Sequence, residues 1–388
     1  MKRIINGTFI GVIVLFLLVG FVKTLFFPED ISEAENRYAN KITSFTMEEF
    51  LDGSFQEQVK DALSDQVPLS TTMKKLYNFA NSFFEKELLV YTLGGQDNRY
   101  MSYRGSLLFG DHLVYATRNF EDEKPLLDKK IENVKYQAEK NKDIDFYMYY
   151  LECDTDIYFE TKEKLGAYEY LENQCDLMNI SYTGLKINSY QDYKNYFYKT
   201  DHHWNCYGSY KAYEDLVKLM KIEEPLVSIK EEYLLDCNFS GSKAIAVGAN
   251  GIYTEKFPAY LYEFPEMIIT INDQWVEDYG AQENYINGEL TGLSYATFYG
   301  NDHGKVVLDT GNENKENILI IGNSYDNANL KLIASHFNQT HSIDLRHYEN
   351  TYGEKFSFSN YVKEHNIDKV LLIGGLDYFV SEVFMLED

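Results

Sequence analysis

The chain begins with a long apolar run behind a basic start. Met1-Lys2-Arg3 precedes Ile4–Val22, roughly 19 residues of low polarity, which is close to the length that crosses a bilayer. The basic end predicts a cytoplasmic start, and the absence of a small-residue cleavage pattern after the run favours an uncleaved signal anchor. We therefore expect a single-pass protein of the cell membrane, with residues 1–27 as cytoplasmic start and transmembrane anchor and the rest outside the cytoplasm.

Residues 28–94 alternate polar positions with apolar ones at spacings of three and four, which is typical of helices. The apolar positions include Phe45, Phe55 and Leu63, and the pattern is interrupted just before Pro68. Because proline suits the first turn of a helix, a second helical stretch is expected after it. We predict a helical neck that joins the anchor to a globular body.

From about residue 95 the pattern changes to strands that alternate with helices. The predicted strands are Ile144–Leu151, Ile180–Tyr182, Met267–Ile271, Val306–Leu308, Ile318–Ile321 and Val370–Ile373. The predicted helices include Glu121–Lys140, Lys162–Met178, Tyr207–Met220, Ala328–Phe337 and Phe358–His365. Such alternation predicts an α/β sandwich with a largely parallel sheet over residues 95–388.

Composition and net charge argue against a disordered chain and against a nucleic-acid-binding protein. The 388 residues are 45% apolar and 25% charged, enough for a large core, so wholesale disorder is excluded. Lysine and arginine number 36 against 61 acidic residues, a net charge of −25, which repels a nucleic-acid backbone. The four cysteines form no metal-like spacing, and three full pairings are open to them.

A candidate nucleophile follows the strand Ile318–Ile321. The strand ends in Gly322-Asn323, and Ser324 comes next, before a predicted helix. The carboxyl ends of strands are where ligands bind in open α/β sheets, and backbone N–H groups at a helix start can stabilise an oxyanion. Ser324 is therefore either a nucleophile or a simple helix cap.

A candidate acid and base lie in the segment Thr200-Asp201-His202-His203-Trp204-Asn205. If this stretch is extended, Asp201 and His203 share one face and His202 points to the other. His203 could then take a proton from a serine while Asp201 orients the ring. Two alternatives stay open, which are a metal site built from Asp-His-His and a helix N-cap formed by Asp201.

Three further residues are candidate oxyanion donors. Gly300 and Asn301 lie in a loop before the strand Val306–Leu308, and Asn323 lies beside Ser324. A backbone N–H and side-chain amides can donate to an oxyanion. The sequence Gly300-Asn301-Asp302 is equally ordinary turn chemistry.

The order of these motifs resembles the DHHW family, which is similar to the SGNH-hydrolase-like alginate O-acetylation proteins AlgX and AlgJ. Besides the segment around Asp201 and the strand that ends before Ser324, the resemblance rests on further segments. These are Glu35-Asn36-Arg37, Phe55, Asp65-Gln66-Val67-Pro68, Arg104–Phe109 and Ile343-Asp344-Leu345-Arg346. One position departs from the family pattern, because Asn323 stands where the usual Gly-Asp-Ser block has aspartate.

The resemblance implies an SGNH-like three-layer fold with Ser324 as nucleophile, His203 as base and Asp201 as its orienting acid, and no cofactor. It implies a membrane-anchored O-acetyltransferase that modifies hydroxyls of a cell-surface or exported polysaccharide, with a multi-span membrane acyltransferase as the partner that supplies acetyl. Trp204 and Tyr198 flank the motif and are candidates for contact with sugar rings. An acetyl esterase and a non-catalytic glycan-binding scaffold are the alternatives.

Overall fold

In the computed structural model, the described residues are 10–11, 14–15, 18–24, 26–28, 31–32, 37–42, 45–66, 99–288 and 292–388. Contacts divide the chain into two compact units, Met1–Gly95 with Ala244–Tyr253, and Gln96–Lys243 with Thr254–Asp388. Within the described part of the chain, no helix is long and apolar enough to span a membrane. Much of the predicted anchor, Ile4–Val22, lies outside the described residues.

The first unit contains short elements in the region predicted as a neck. Strands β1 (Ile31–Ser32) and β2 (Arg37–Tyr38) pair antiparallel. Helix α1 (Met47–Asp52) begins at a capping box between Thr46 and Glu49 and is followed by α2 (Ser54–Gln66). The helix expected after Pro68 lies outside the described residues.

The second unit contains a small sheet followed by the body of the fold. Its strands are β3 (Tyr100–Tyr103), β4 (Ser106–Phe109), β5 (His112–Val114), β6 (Asp145–Leu151), β7 (Ile157–Tyr158), β8 (Glu163–Lys164), β9 (Ser181–Leu185), β10 (Ile229–Phe239), β11 (Glu255–Tyr262), β12 (Ile268–Ile271), β13 (Gln274–Val276), β14 (Lys305–Asp309), β15 (Ile318–Ile321), β16 (Gln339–Ile343) and β17 (Lys369–Gly374). Its helices are α3 (Phe120–Lys140), α4 (Ala167–Met178), α5 (Tyr190–Tyr196), α6 (Cys206–Leu219), α8 (Gln282–Ile286), α9 (Tyr295–Tyr299), α10 (Leu330–Ala334), α11 (Leu345–Tyr352), α12 (Phe358–Glu364) and α13 (Leu376–Phe379). One further helix, α7 (Ser242–Ala246), has residues in both units.

Eight strands form the main sheet, in the order β13-β12-β14-β16-β15-β17-β6-β9. The five strands from β16 to β9 run parallel, whereas β13, β12 and β14 join through antiparallel pairs. The α/β fold expected from the sequence is confirmed, but the sheet is mixed where the sequence predicted a mostly parallel one. The predicted strands Met267–Ile271 and Val306–Leu308 correspond to β12 and β14. Strand β13 was missed, because it has only three residues and none of them is buried.

Helices cover both faces of the sheet, because alternate side chains of the central strands enter two separate cores. Ile320 and Ile373 belong to one core, which also contains residues of α6 and α10. Ile321 and Leu372 belong to the other, which contains residues of α3, α4 and α12. The resulting three layers place the carboxyl ends of β15, β17 and β6 at one edge of the sheet.

Candidate active site

Ser324 lies in the turn that follows the buried strand β15. Gly322 precedes this turn, and a Cβ there would lie 2.8 Å from a carboxylate oxygen of Asp326, so only glycine fits without displacement. The turn is closed by the Asp326 N–H, which donates to the Asn323 carbonyl at 2.9 Å. Ser324 is not a cap residue, since the helical turn that follows begins after Tyr325. Its hydroxyl is therefore available for other contacts.

The structure brings together the three residues that sequence reasoning singled out as nucleophile, base and acid. The Nε2 atom of His203 lies 2.8 Å from the Oγ of Ser324, and its Nδ1 atom lies 2.6 Å from Oδ1 of Asp201. Asp201 and His203 are buried and Ser324 is half-buried. In this arrangement, a ring that donates from Nδ1 has Nε2 free to accept the serine proton.

Electrostatics keep Asp201 ionised despite its burial. Burial alone would raise the pKa of this carboxyl, but the charge and hydrogen bond of His203 lower it well below its ordinary value. The carboxylate also accepts the backbone N–H of His203 at 2.9 Å and that of Ser242 at 2.6 Å. An ionised acid fixed by several donors holds the imidazole in one orientation.

The segment around Asp201 is a tight turn, so the condition that the stretch is extended is not met. Phe197 and Trp204 form an isolated antiparallel bridge, and Tyr198 N–H donates to the His203 carbonyl at 3.3 Å. The Asp201 side chain bonds the backbone two residues on, which is the geometry of an Asx turn. Asp201 and His203 therefore meet through this turn. The N-cap alternative is also wrong, because Asn205 caps α6.

Aromatic rings enclose the imidazole of His203. The Tyr295 ring is stacked on it at a centroid distance of 3.8 Å and an interplanar angle of 2°. His202 covers the imidazole at 3.8 Å and 37°, and Tyr325 meets it edge-on at 5.2 Å. These contacts leave the ring little freedom to rotate away from Ser324.

The loop after β10 packs against the Asp201 side chain. A Cβ on Gly241 would lie 2.3 Å from the Cβ of Asp201, so the loop backbone approaches the carboxylate as closely as glycine permits. The Gly241 N–H donates to the Thr200 hydroxyl at 2.9 Å, and that hydroxyl donates to Glu255 at 2.6 Å. Glu255, on β11, thus fixes the residue before the acid.

His202, which the sequence places between acid and base, has contacts of its own. Its Nδ1 lies 2.6 Å from the Ser242 hydroxyl, and its carbonyl accepts from the Tyr325 hydroxyl at 2.8 Å. Burial and the neighbouring His203 lower the pKa of His202, so its imidazole is neutral. Potential ligand atoms of Asp201, His202 and His203 lie within 4.8 Å of one another, but hydrogen bonds already engage them, which argues against the metal alternative.

The candidate oxyanion donors lie on two segments. Gly300 ends α9 at a φ of 110°. The exposed Asn301 follows, and its carbonyl oxygen lies 3.1 Å from the Tyr279 hydroxyl. The same hydroxyl donates to Asn327 at 2.7 Å, which ties this segment to the turn after Ser324. Asn323 uses its side-chain oxygen to accept the Tyr325 N–H at 3.3 Å. Their role as oxyanion donors stays a prediction.

The two aromatic residues expected to touch sugar are core residues. Trp204 is 0% exposed and Tyr198 is 1% exposed. Trp204 packs edge-on against Tyr325, and Tyr198 stacks on Phe257. Neither ring has a face available to a sugar, so that expectation is corrected. Both rings instead support the fold of the turn that carries Asp201 and His203.

Sequence reasoning missed the supporting residues Gly241, Ser242 and Tyr295. They lie about 40 to 90 residues from the motif along the chain, and no local pattern links them to it. Tyr325 could have been found, because it is adjacent to Ser324.

A second cluster of charges lies beside the turn after Ser324. Arg346 donates to both carboxylate oxygens of Asp344 and to Asp302, and Asp302 accepts from the Asn327 amide at 2.9 Å. Burial raises the pKa of Asp326 to about 8. Asp302, Asp344 and His347 could together face a cation, but the Arg346 guanidinium already forms ion pairs with both carboxylates.

Comparison of the sequence with protein-family models and with curated proteins gives no match. Solved structures do match. A DHHW family protein from Eubacterium siraeum is 16% identical over 74% of this chain and 98% of that one, with a TM-score of 0.53. Bacillus cereus PatB1, solved with a sulfonyl adduct, is 18% identical over 75% of this chain and all of that one, with a TM-score of 0.56. The O-acetyltransferase domain of Pseudomonas putida AlgJ is 9% identical over 73% of this chain and 91% of that one, with a TM-score of 0.39.

The likeness to the Eubacterium siraeum protein confirms the expected resemblance to the DHHW family at the level of the fold. At these identities the likenesses to solved structures concern the fold alone.

Proposed function

We propose that this protein transfers acetyl groups to sugar hydroxyls through an acetyl-serine intermediate on Ser324. The observation that carries the proposal is the continuous hydrogen-bonded path from Ser324 through His203 to Asp201, with distances of 2.8 and 2.6 Å. A nucleophile, a base and a base-orienting acid in contact are the parts that acyl transfer needs.

In the first half-reaction, the Ser324 Oγ attacks the acetyl carbonyl of the donor while His203 Nε2 takes the hydroxyl proton. The tetrahedral intermediate collapses, the bond to the leaving group breaks, and His203 returns the proton to that group. The acetyl group is then an ester of Ser324. Asp201 stays ionised throughout and stabilises the imidazolium that forms.

In the second half-reaction, His203 removes the proton from a sugar hydroxyl, whose oxygen attacks the acetyl-serine. The ester bond to Ser324 breaks, and the serine oxygen recovers the proton from His203. Water in place of the sugar releases acetate, so the esterase alternative differs only in the acceptor. No cofactor is required by these steps.

The choice of acetyl and of a polysaccharide acceptor is supported by the motif resemblance to the DHHW family and by the shared fold. The competing proposal, a non-catalytic glycan-binding scaffold, is less favoured, because binding alone needs no serine within 2.8 Å of an oriented imidazole. The proposal includes a single N-terminal membrane anchor, an extracytoplasmic body, and an acetyl-supplying membrane acyltransferase as partner. Protease accessibility of the body in intact cells tests the orientation.

The proposal is tested by the release of p-nitrophenol from p-nitrophenyl acetate by the full chain. Ser324→Ala and His203→Ala are expected to lower kcat/KM by roughly 10³-fold or more, since removing one member of a triad disables the unit. Ser102→Ala is the matched control, because Ser102 is an exposed serine on β3. Equal activity of all four proteins would favour the scaffold alternative, provided that circular dichroism shows them equally folded.

A further inference from the structure

Two partly exposed rings contact the consecutive residues Ser242 and Lys243, which follow Gly241. Tyr115, in the loop after β5, is 44% exposed, and the His202 side chain is 32% exposed. Two consecutive residues, Ser242 and Lys243, hold them in place. We call these four residues the acceptor shelf.

Lys243 holds the Tyr115 ring in position through a cation–π contact. This lysine is buried, and its Nζ donates to Asp154 at 2.5 Å and to the Tyr193 hydroxyl at 2.9 Å. The same Nζ lies 4.6 Å from the centroid of the Tyr115 ring, where a cation attracts the face of an aromatic ring. The Tyr115 N–H donates to the same Asp154 carboxylate at 2.6 Å. A residue held at both backbone and ring has its position set before any ligand arrives.

Ser242 connects the acceptor shelf to the catalytic residues. Its N–H donates to Asp201 Oδ2 at 2.6 Å, and its hydroxyl lies 2.6 Å from Nδ1 of His202. With Nδ1 engaged, Nε2 is the atom of His202 that can meet a ligand. Burial first, then the charges of Asp154, Asp201 and Asp377, raise the pKa of Tyr115 to about 12. The phenol is thus within electrostatic range of the catalytic acid and stays neutral.

We propose that the acceptor shelf binds a neutral pyranose of the acceptor, with the sugar ring on the Tyr115 face and a hydroxyl on His202. The proposal rests on the proposed function, since it supplies the acceptor for the acetyl-serine. An aromatic face and one oriented polar group are the usual means of holding an amphipathic ligand. The only cation of the shelf, Lys243, is paired with Asp154, and Arg118 is paired with Glu123 and Asp377. Since these cations already have carboxylate partners, an anionic uronate sugar is disfavoured.

Binding is measured by saturation-transfer NMR on the full chain carrying Ser324→Ala, which prevents turnover. The probes are maltopentaose, cellopentaose and chitopentaose as neutral sugars, and an oligogalacturonate as the anionic one. We expect saturation of at least one neutral probe. Tyr115→Ala is expected to weaken its binding about 10-fold or more, whereas Tyr115→Phe retains it.

The matched control is Tyr136→Ala. Tyr136 is 57% exposed on α3 with the Lys140 ammonium 5.8 Å from its ring, so it has the same chemistry away from the acceptor shelf, and its loss is expected to change nothing. The proposal is overturned if no neutral probe binds, if only the oligogalacturonate binds, or if Tyr115→Ala binds as tightly as its parent.

A second readout separates binding from catalysis. In the chain with Ser324 intact, His202→Gln is expected to lower the ratio of acetylated sugar to free acetate formed from p-nitrophenyl acetate. A merely structural role of His202 would lower both products equally and would overturn its part in the proposal. If ester cleavage requires Ser324 but no sugar binds, the acceptor shelf alone is overturned. If sugar binding requires Tyr115 but Ser324→Ala cleaves the ester as fast as the parent, the proposed function alone is overturned.

Discussion

Gly241 offers a way to disturb the catalytic acid without touching any reacting group. The change is Gly241→Ala, which adds one methyl group behind Asp201. That methyl carbon would lie 2.3 Å from the Asp201 Cβ and 2.5 Å from its Oδ2, whereas ordinary contacts begin at 3.4 Å. The two segments must therefore separate by about 1 Å.

The structure sets the size of the expected effect. Asp201 is joined to His203 Nδ1 and to Ser242 N by bonds of 2.6 Å each, and a 1 Å displacement takes either bond beyond the usual hydrogen-bond range of about 3.2 Å. A misplacement of this size costs about 10²-fold in rate, or about 2.7 kcal/mol of transition-state stabilisation. The added methyl also costs about 1 to 3 kcal/mol of folding stability through overpacking.

The assay is p-nitrophenyl acetate cleavage together with urea unfolding. Gly311→Ala serves as the control, because Gly311 has a φ of +66° with open space around it and lies between β14 and β15, far from Ser324 along β15. Its substitution strains the backbone and lowers stability without reaching Asp201. If Gly241→Ala and Gly311→Ala lost the same activity, or if Gly241→Ala lost none, the reasoning that close support of Asp201 sets the rate would be refuted.

Three further outcomes are expected. Tyr295→Leu removes the ring stacked on His203 and should lower kcat about 10-fold with KM nearly unchanged, while Tyr295→Phe, which keeps the ring, should lose far less. Burial lowers the pKa of Lys130 to about 7. Between about pH 7 and 10, Lys130 therefore binds a proton in the unfolded chain but not in the folded chain. Its contribution to the free energy of unfolding consequently rises by about 1.4 kcal/mol per pH unit. Lys130→Met, which leaves an apolar chain near the Tyr378 ring, should flatten that rise in urea unfolding at pH 7 and 9. Phenylmethylsulfonyl fluoride should sulfonylate the parent and fail to label Ser324→Ala in intact-mass measurements.

The main elements of the body could be predicted because their strands are long apolar runs. β15 and β17 are buried along their whole length, so the turn that presents Ser324 could be placed at a strand end. β16 was missed although it is central in the sheet. Its buried residues include Thr340, His341 and Ser342. Two of these, His341 and Ser342, are paired with Tyr361 and Asp326, and such partners cannot be read from local pattern.

The candidate site, like the fold, could be predicted from the sequence only in part. Asp201, His203 and Ser324 could be found because their residue types and order carry the chemistry. Their mutual approach depends on a turn that the alternation rule did not foresee. Gly241 and Tyr295 were beyond prediction, because a contact between residues distant along the chain is set by the packed fold.

The central claim is that Ser324 carries the acetyl group during turnover. The most direct measurement is the intact mass of the full chain quenched with acid shortly after mixing with p-nitrophenyl acetate, followed by peptide mapping. We expect the mass of one acetyl group on the peptide that contains Ser324, absent from Ser324→Ala and present in Ser102→Ala. Rapid ester cleavage with no acetyl on Ser324, or with the acetyl group on another residue, would contradict the claim.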